Sequence, residues 1–246
     1  MRIIKLNATN STNSFLKELA KNSSLEEYTI AVTNSQTSGR GQMNNSWESE
    51  PYKNLTFSIF ASLKKLQIKE QVYLNFAVSL AIYDTLVSYD VPNLYIKWPN
   101  DIMSARQKIC GILIESTFSR QQIKNTIIGI GLNVNQEKFS QKLLNASSLK
   151  IIMKKDFDIE LLMNRIIDRI KYRISTIEKR NFSETHKEYH AALYKKGIPT
   201  TFIDKKTNIF FMGIIVGVSS VGNIQIQLED DAIVEYGLKE ISFARV

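Results

Sequence analysis

Lys97, Asp101 and Lys108 lie within a dozen residues of one another, in Ile-Lys-Trp-Pro-Asn-Asp and the Lys-Ile-Cys-Gly run that follows. On a strand, Ile96 and Trp98 face one way and Lys97 the other. Pro99 ends the strand, and Asn100 and Asp101 turn the chain. A cation and a carboxylate therefore meet at a strand end. An ordinary solvated strand end would look similar, but Trp-Pro-Asn-Asp is an uncommon string and favours function. Upstream, Gly39 and Gly41 bracket Arg40. Glycines let backbone N–H groups approach an anion, and a guanidinium forks onto carboxylate or phosphate. Trp47 could offer its face to a planar ring. Alone, Gly-Arg-Gly reads equally well as a flexible surface loop.

Two apolar segments carry the third signal. In 108–115, Ile109, Gly111, Leu113 and Glu115 alternate onto one face. In 127–134, Ile127, Gly129, Gly131 and Asn133 oppose Ile128, Ile130, Leu132 and Val134. Glycine weakens a strand and marks close approach of a ligand or another backbone. Gly111, Gly129 and Gly131 thus suggest a floor for a flat ligand, with Asn133 at its edge; tight helix-on-sheet packing is the other reading. His186 and His190, four apart near a helix end, lack the Glu of His-Glu-x-x-His and any third ligand. They read as a solvated helix face, so no metal site is expected. Cys110 shares the apolar side with Ile112 and Ile114 and reads as a buried thiol. No hydroxyl or thiol has a convincing His partner, which argues against a nucleophilic triad.

These residues need positioning elements. A short strand at 3–6 leads into Ser11, Thr12 and Asn13, all good caps for a helix carrying Phe15, Leu16 and Leu19. Strands are expected at 29–32, 55–63, 94–98, 109–117 and 127–134. Helices are expected at 69–89 and after Asp158, where Ile159, Leu162, Met163, Ile166, Ile167, Ile170, Ile174 and Ile177 form one stripe. Segment 34–51 has no periodicity and is long for a connection, which marks it as functional or mobile. Beyond Gly197 the pattern becomes short strands, with Ile224, Ile226 and Leu228 alternating against Gln225, Gln227 and Glu229. The fold class is α+β, a mixed sheet with flanking helices, divided into 1–193 and a small β unit, 194–246.

Composition limits the function classes. The 246 residues carry net charge +8 and one cysteine. That length, at about 150 residues per domain, fits one large domain plus a small one. One cysteine excludes an internal disulfide framework. No apolar run reaches a membrane span, and the start reads as no signal peptide, so a cytoplasmic protein without a membrane partner is expected. The lysines are dispersed, in pairs at 64–65, 154–155, 195–196 and 205–206. Without a basic stripe, the charge reads as solvated surface rather than a nucleic-acid footprint.

Taken together, Ser11-Thr12-Asn13, Gln36 with Gly39-Arg40-Gly41, Trp47, Lys97-Trp98-Pro99-Asn100-Asp101, Lys108-x-x-Gly111-Ile112-Leu113-x-Glu115 and Gly129-x-Gly131-x-Asn133 resemble the biotin–protein ligases, also called biotin–[acetyl-CoA-carboxylase] ligases. The resemblance spans nearly the whole chain, and its β tail is similar to that family's C-terminal SH3-like β-barrel. It implies a class II synthetase-like domain that uses ATP and Mg²⁺ to activate biotin as biotinyl-5′-AMP. The biotin then passes to a lysine of a biotin carboxyl carrier protein or domain. By the same resemblance Lys108, Arg40, Lys97 and Asp101 carry the chemistry. Ser11, Thr12, Asn13, Gln36, Arg40, Gly41, Gln42, Lys108, Gly111, Gly129 and Gly131 hold biotin. Gly39, Arg40, Trp47, Lys97, Asn100, Lys108 and Asn133 hold ATP.

The chain departs from the family's loop, usually Gly-Arg-Gly-Arg-x-Gly-Arg/Lys-x-Trp, at Gln42, Asn44 and Asn45. With about ten residues before Ser11, the DNA-binding domain of repressor-type members is not expected. A homodimer stays open. The rival readings are a lipoate–protein ligase and a ligand-binding module without turnover.

Overall fold

The computed structural model describes residues 1–63 and 65–244; Lys64, and positions 245 and 246 of the expected β unit, lie outside the described residues. In chain order the elements are β1 (Arg2–Thr9), α1 (Thr12–Asn22), β2 (Thr29–Gln36), β3 (Gly39–Arg40), β4 (Ser46–Trp47), β5 (Leu55–Ala61), α2 (Gln71–Val87), β6 (Leu94–Lys97), β7 (Asp101–Ser104), β8 (Gln107–Ser119) and β9 (Gln122–Leu132). Then come α3 (Leu149–Met153), α4 (Ile159–Glu178), α5 (Phe182–Ala191), β10 (Pro199–Asp204), β11 (Phe210–Val218), β12 (Ile224–Gln227), β13 (Ile233–Tyr236) and β14 (Ile241–Phe243).

Seven strands form one sheet in the order β1-β2-β5-β9-β8-β7-β6. Only β1 and β2 run parallel; the remaining pairs are antiparallel. Strand parity decides what each face carries. Leu55, Phe57 and Ile59 of β5 and Ile128, Ile130 and Leu132 of β9 are buried in the main core with α2, α4 and α5. The stripe foreseen on α4 is buried from Leu162 to Ile177. Each such side chain contributes about 1.5–3 kcal/mol by leaving water. The opposite face has a smaller cover, where α1 packs Leu16 onto Ala31, Phe60 and Ile127. Thr56, Ser58, Gly129, Gly131 and Gly111 share that second face.

The tail forms a five-stranded antiparallel sheet, β13-β12-β11-β10-β14. Its outer strands β13 and β14 do not pair with each other among the described residues, so the expected barrel is seen as a sheet. β7, between the two strands foreseen on either side of it, was not foreseen; only four residues long, it gives little periodicity to read.

The histidines correct an expectation. His186 and His190 are only partly exposed and pack α5 against the end of β11. His186 Nε2 lies 2.9 Å from the Val218 carbonyl, and the Val218 N–H donates to His190 Nε2 at 2.9 Å. Burial, then the nearby His186 and Lys196 charges, lower the His190 pKa from its ordinary 6.5, against the opposing Val218 hydrogen bond. The neutral ring is therefore the folded form. Its stabilisation is complete above 6.5 and is lost as pH falls through the lowered folded value. Thermal unfolding followed from pH 7.5 to 5 is expected to show a fall in Tm beginning below pH 6.5, reduced in His190→Gln.

Candidate functional site

The second face of the sheet is built in rows. One row runs Lys97, Asp101, Gly111, Gly131, Thr56, Thr33 across β6, β7, β8, β9, β5 and β2. The next runs Leu113, Gly129, Ser58, Ala31. Residues directly opposite in such pairs project to the same side. The glycines thus make a bare strip, with charged groups at the β6–β8 end and hydroxyls toward β5 and β2.

A β-bulge sets the charged end. Pairing of β7 with β8 slips at Ile102/Met103, where Met103 faces Lys108 and Ile102 faces Cys110. The extra residue, Ile109, is fully buried in the main core with Cys110. This overturns its expected place beside Gly111. Because the bulge shifts parity, Lys108 comes to the glycine face, and a Cβ on Gly111 would lie 3.3 Å from Lys108 Nζ. Bulges commonly re-aim side chains in this way at active sites. Lys108 pairs with Asp101 at 2.6 Å. Lys97 stands across the register from Asp101, with its Nζ 4.8 Å from the Phe243 ring centre of the C-terminal sheet. Cys110 lies on the far side, and burial pushes its thiol pKa up, which fits the inert role foreseen.

The other end is polar and buried. Ser11 caps α1 by accepting from the Ser14 N–H. Ser11, Thr12 and Asn13 are each only 3% exposed. The Thr12 N–H donates to Gln36 Oε1 at 2.8 Å. The Ser58 hydroxyl lies 2.6 Å from both Thr12 Oγ1 and Asn13 Oδ1. Asn13 Nδ2 donates to Glu115 at 3.0 Å and to the Leu113 carbonyl. Sequence reasoning missed Ser58 and Thr56, although Thr56 and Ser58 alternating with Leu55, Phe57 and Ile59 already spelled a polar face.

Segment 34–51 is folded where no periodicity was visible. β3 and β4 pair as a small hairpin, Gly39 with Trp47 and Arg40 with Ser46. Gly41 and Gln42 lead into a 3₁₀ turn that holds Met43 at φ 57°. The hairpin lays the Trp47 indole on the strip: a Cβ on Gly131 would meet its ring at 2.3 Å and one on Gly111 at 3.0 Å. Trp47 therefore covers the floor itself. Two open concavities, of about 530 and 390 Å³, lie elsewhere, against the C-terminal sheet.

Arg40 is not gathered with the two lysines. Its guanidinium forks onto Glu115 at 3.0 and 3.3 Å and reaches Ser14 Oγ at 3.3 Å, at the polar end. Lys97, Asp101 and Lys108 form one charged group, and Arg40 and Glu115 another on the same face. Asn100 spends its side chain on the fold, with Nδ2 donating to the Ile112 carbonyl at 2.5 Å. Asn133 Nδ2 donates to the Ser147 carbonyl at 3.0 Å. Trp47 Nε1 and Asn133 Oδ1 are buried with no hydrogen-bond partner among the described residues, a state that a bound polar molecule relieves.

A family model described as the Biotin/lipoate A/B protein ligase family matches residues 6–133. The bifunctional ligase/repressor BirA of Bacillus spizizenii is 26% identical over 247 residues, covering 99% of this chain and 73% of that one. The biotin–[acetyl-CoA-carboxylase] ligase of Paracoccus denitrificans is 32% identical over 128 residues, about half of each chain. The biotin protein ligase of Aquifex aeolicus, solved in complex with biotin and ATP, matches with TM-score 0.83 and 26% identity, covering 100% of this chain and 99% of that one.

Proposed function

The chain belongs to the Biotin/lipoate A/B protein ligase family, and on that footing we propose that it activates biotin with ATP and transfers it to a lysine of a carrier domain. One observation carries the reading. A bare glycine strip joins a buried hydroxyl-and-amide corner to a lysine–aspartate group at a strand end.

A ureido ring has two N–H donors and one acceptor. Thr12, Asn13, Gln36 and Ser58 present both kinds of partner in a buried corner; they pair with one another without ligand, and a ureido ring can take over those bonds where a dithiolane cannot. The biotin tail then runs along Gly129, Gly131 and Gly111 toward Lys108, and the Trp47 indole that covers Gly131 and Gly111 without ligand moves aside to admit it. A carboxylate and a polyphosphate repel, so their meeting requires cations and a fixed in-line approach. Lys108 and Lys97 supply the charge. A carboxylate oxygen of biotin bonds to the α-phosphorus, and the bond to the leaving pyrophosphate breaks. In the second step an amine attacks the acyl carbon and AMP leaves. Lys108 must first turn from Asp101 to the ligand anion. That frees Asp101 to accept a hydrogen bond from the incoming lysine and to orient it. Asn133 and Trp47 line the nucleotide side.

No group of three or more metal-ligating side chains occurs among the described residues. The one carboxylate at the charged end, Asp101, suits Mg²⁺ carried in on the polyphosphate, where the ion neutralises phosphate charge. No helix among the described residues is long and apolar enough to cross a membrane. We propose the unit boundary at 193/194, where the link from α5 bridges Ile96 to Leu193 before β10 begins.

Incubation with ATP, Mg²⁺ and either biotin or lipoate, followed by pyrophosphate release, tests the reading. Biotin-dependent release is expected. Release with lipoate alone would assign the rival ligase, and none with either a binding module. The departure at Gln42 adds a second expectation. With a cation missing from the loop, biotinyl-AMP escapes faster than from ligases with the full motif, and Gln42→Arg slows that escape several-fold in a chase with unlabelled biotin. An unchanged release rate would remove Gln42 from adenylate retention.

A further inference from the structure

Glu115 is the acidic residue at the polar end of the strip, and no step above uses it. It stands on the ligand face of β8 one row beyond Leu113 and Gly129, across from Ile127. Its carboxylate contacts three side chains on two elements. It takes the Asn13 amide of α1 at 3.0 Å. It takes both terminal nitrogens of Arg40 on the hairpin. It faces Lys17 of α1 at 3.7 Å. Its side chain is 22% exposed. Burial opposes its charge, but Asn13, Arg40 and Lys17 outweigh burial and hold the carboxyl below its ordinary range. It is therefore ionised whenever the enzyme works near neutrality.

The two main contacts have different consequences. Asn13 Nδ2 is committed to Glu115 and Leu113, so Asn13 Oδ1 must face Ser58 and Gly129, toward the ligand strip. An amide flip would break all three contacts. Arg40 belongs to the strand paired with Ser46 and Trp47. Holding its guanidinium sets how the indole lies on Gly111 and Gly131. A forked arginine–carboxylate pair keeps its geometry better than an ordinary exposed ion pair.

We propose that Glu115 is a positioning residue for the biotin pocket, orienting the Asn13 acceptor and tethering the Arg40–Trp47 hairpin over the glycine strip. This rests on the biotin-ligase reading. The tether itself exists without ligand and can be tested without one.

The experiment uses the full chain labelled with 5-fluorotryptophan. Its two tryptophans give two ¹⁹F resonances, and Trp98, bonded to the Gly222 carbonyl, is the internal control. Glu115→Gln keeps an oxygen for Asn13 but loses the charge that holds Arg40. It is expected to shift or broaden the Trp47 resonance without ligand and leave Trp98 in place. Glu115→Ala removes both contacts. It is expected to move Trp47 and raise the biotin KM about tenfold, the size of one lost charged hydrogen bond, with a smaller effect on kcat. A Trp47 resonance unmoved in Glu115→Gln, or a biotin KM within twofold of wild type in Glu115→Ala, overturns the proposal. If Glu115→Ala does not fold, the glutamine variant decides alone. Wild-type protein that releases no pyrophosphate with biotin would sink the functional reading, while the resonance still reports on the tether.

Discussion

Lys108→Ala is expected to slow biotin-dependent pyrophosphate release by about 10²–10³-fold, because withdrawing a cation from developing charge costs about 2–4 kcal/mol. Folding should hardly notice. The Lys108 and Asp101 side chains are 35% and 21% exposed, and such a partly solvated pair contributes no more than about 1 kcal/mol to stability. The combination distinguishes a reactive lysine from a structural one: a structural lysine would lose stability and activity together. Lys108→Arg is informative as well. It keeps the charge but not the compact ammonium that fits between Gly111 and Asp101, so most of the loss should persist. Near-normal adenylate formation by the alanine variant would exclude Lys108 from the chemistry and leave Lys97 as the cation at that end. The structure makes that alternative specific, since Arg40 is held at the opposite end by Glu115.

The residues of this site were legible one at a time, and their grouping was not. Strand parity put Gly129 and Gly131 on one face, and the sheet keeps them there, because β9 is regular from Thr126 to Leu132. Parity failed on β8. There the bulge inserts Ile109 into the core and turns Lys108 the other way. An inserted apolar residue beside another apolar one, as Ile109 is beside Cys110, leaves no trace in an alternating pattern. Gly39-Arg40-Gly41 was visible as an anion-binding string, yet its partner Glu115 lies 75 positions away. Spacing carries no information about such a pair until β8 and the hairpin meet in space. The histidines were misplaced for the same reason. Four apart on α5, they look outward until β11 arrives to cover them.

Gly129→Ala is expected to do the most damage of any single methyl added to the strip. The new Cβ would lie 2.1 Å from Asn13 Oδ1 and 2.8 Å from its Cγ. Whether this is tolerated depends on whether Asn13 can move. Its oxygen is held by Ser58 and its nitrogen by Glu115 and Leu113. Its backbone sits in the first turn of α1, fixed by the Ser11 cap and the Thr12 bond to Gln36. The methyl must therefore push the start of α1 off the sheet. Overpacking of this kind costs about 1–3 kcal/mol, and the same shift drags the buried polar corner of Thr12, Asn13, Gln36 and Ser58 out of register. A lowered Tm is expected together with a biotin KM raised by about 100-fold, the equivalent of roughly two lost hydrogen bonds to charged or buried groups. Gly131→Ala provides the contrast. Its Cβ would meet the Trp47 ring at 2.3 Å, but Trp47 rides on a two-residue strand pair that can swing away. That variant should keep its Tm and lose biotin affinity alone. If both alanines lowered Tm equally and left the biotin KM unchanged, the glycines would be packing devices for the sheet, and the strip would lose its claim to be the floor of the pocket.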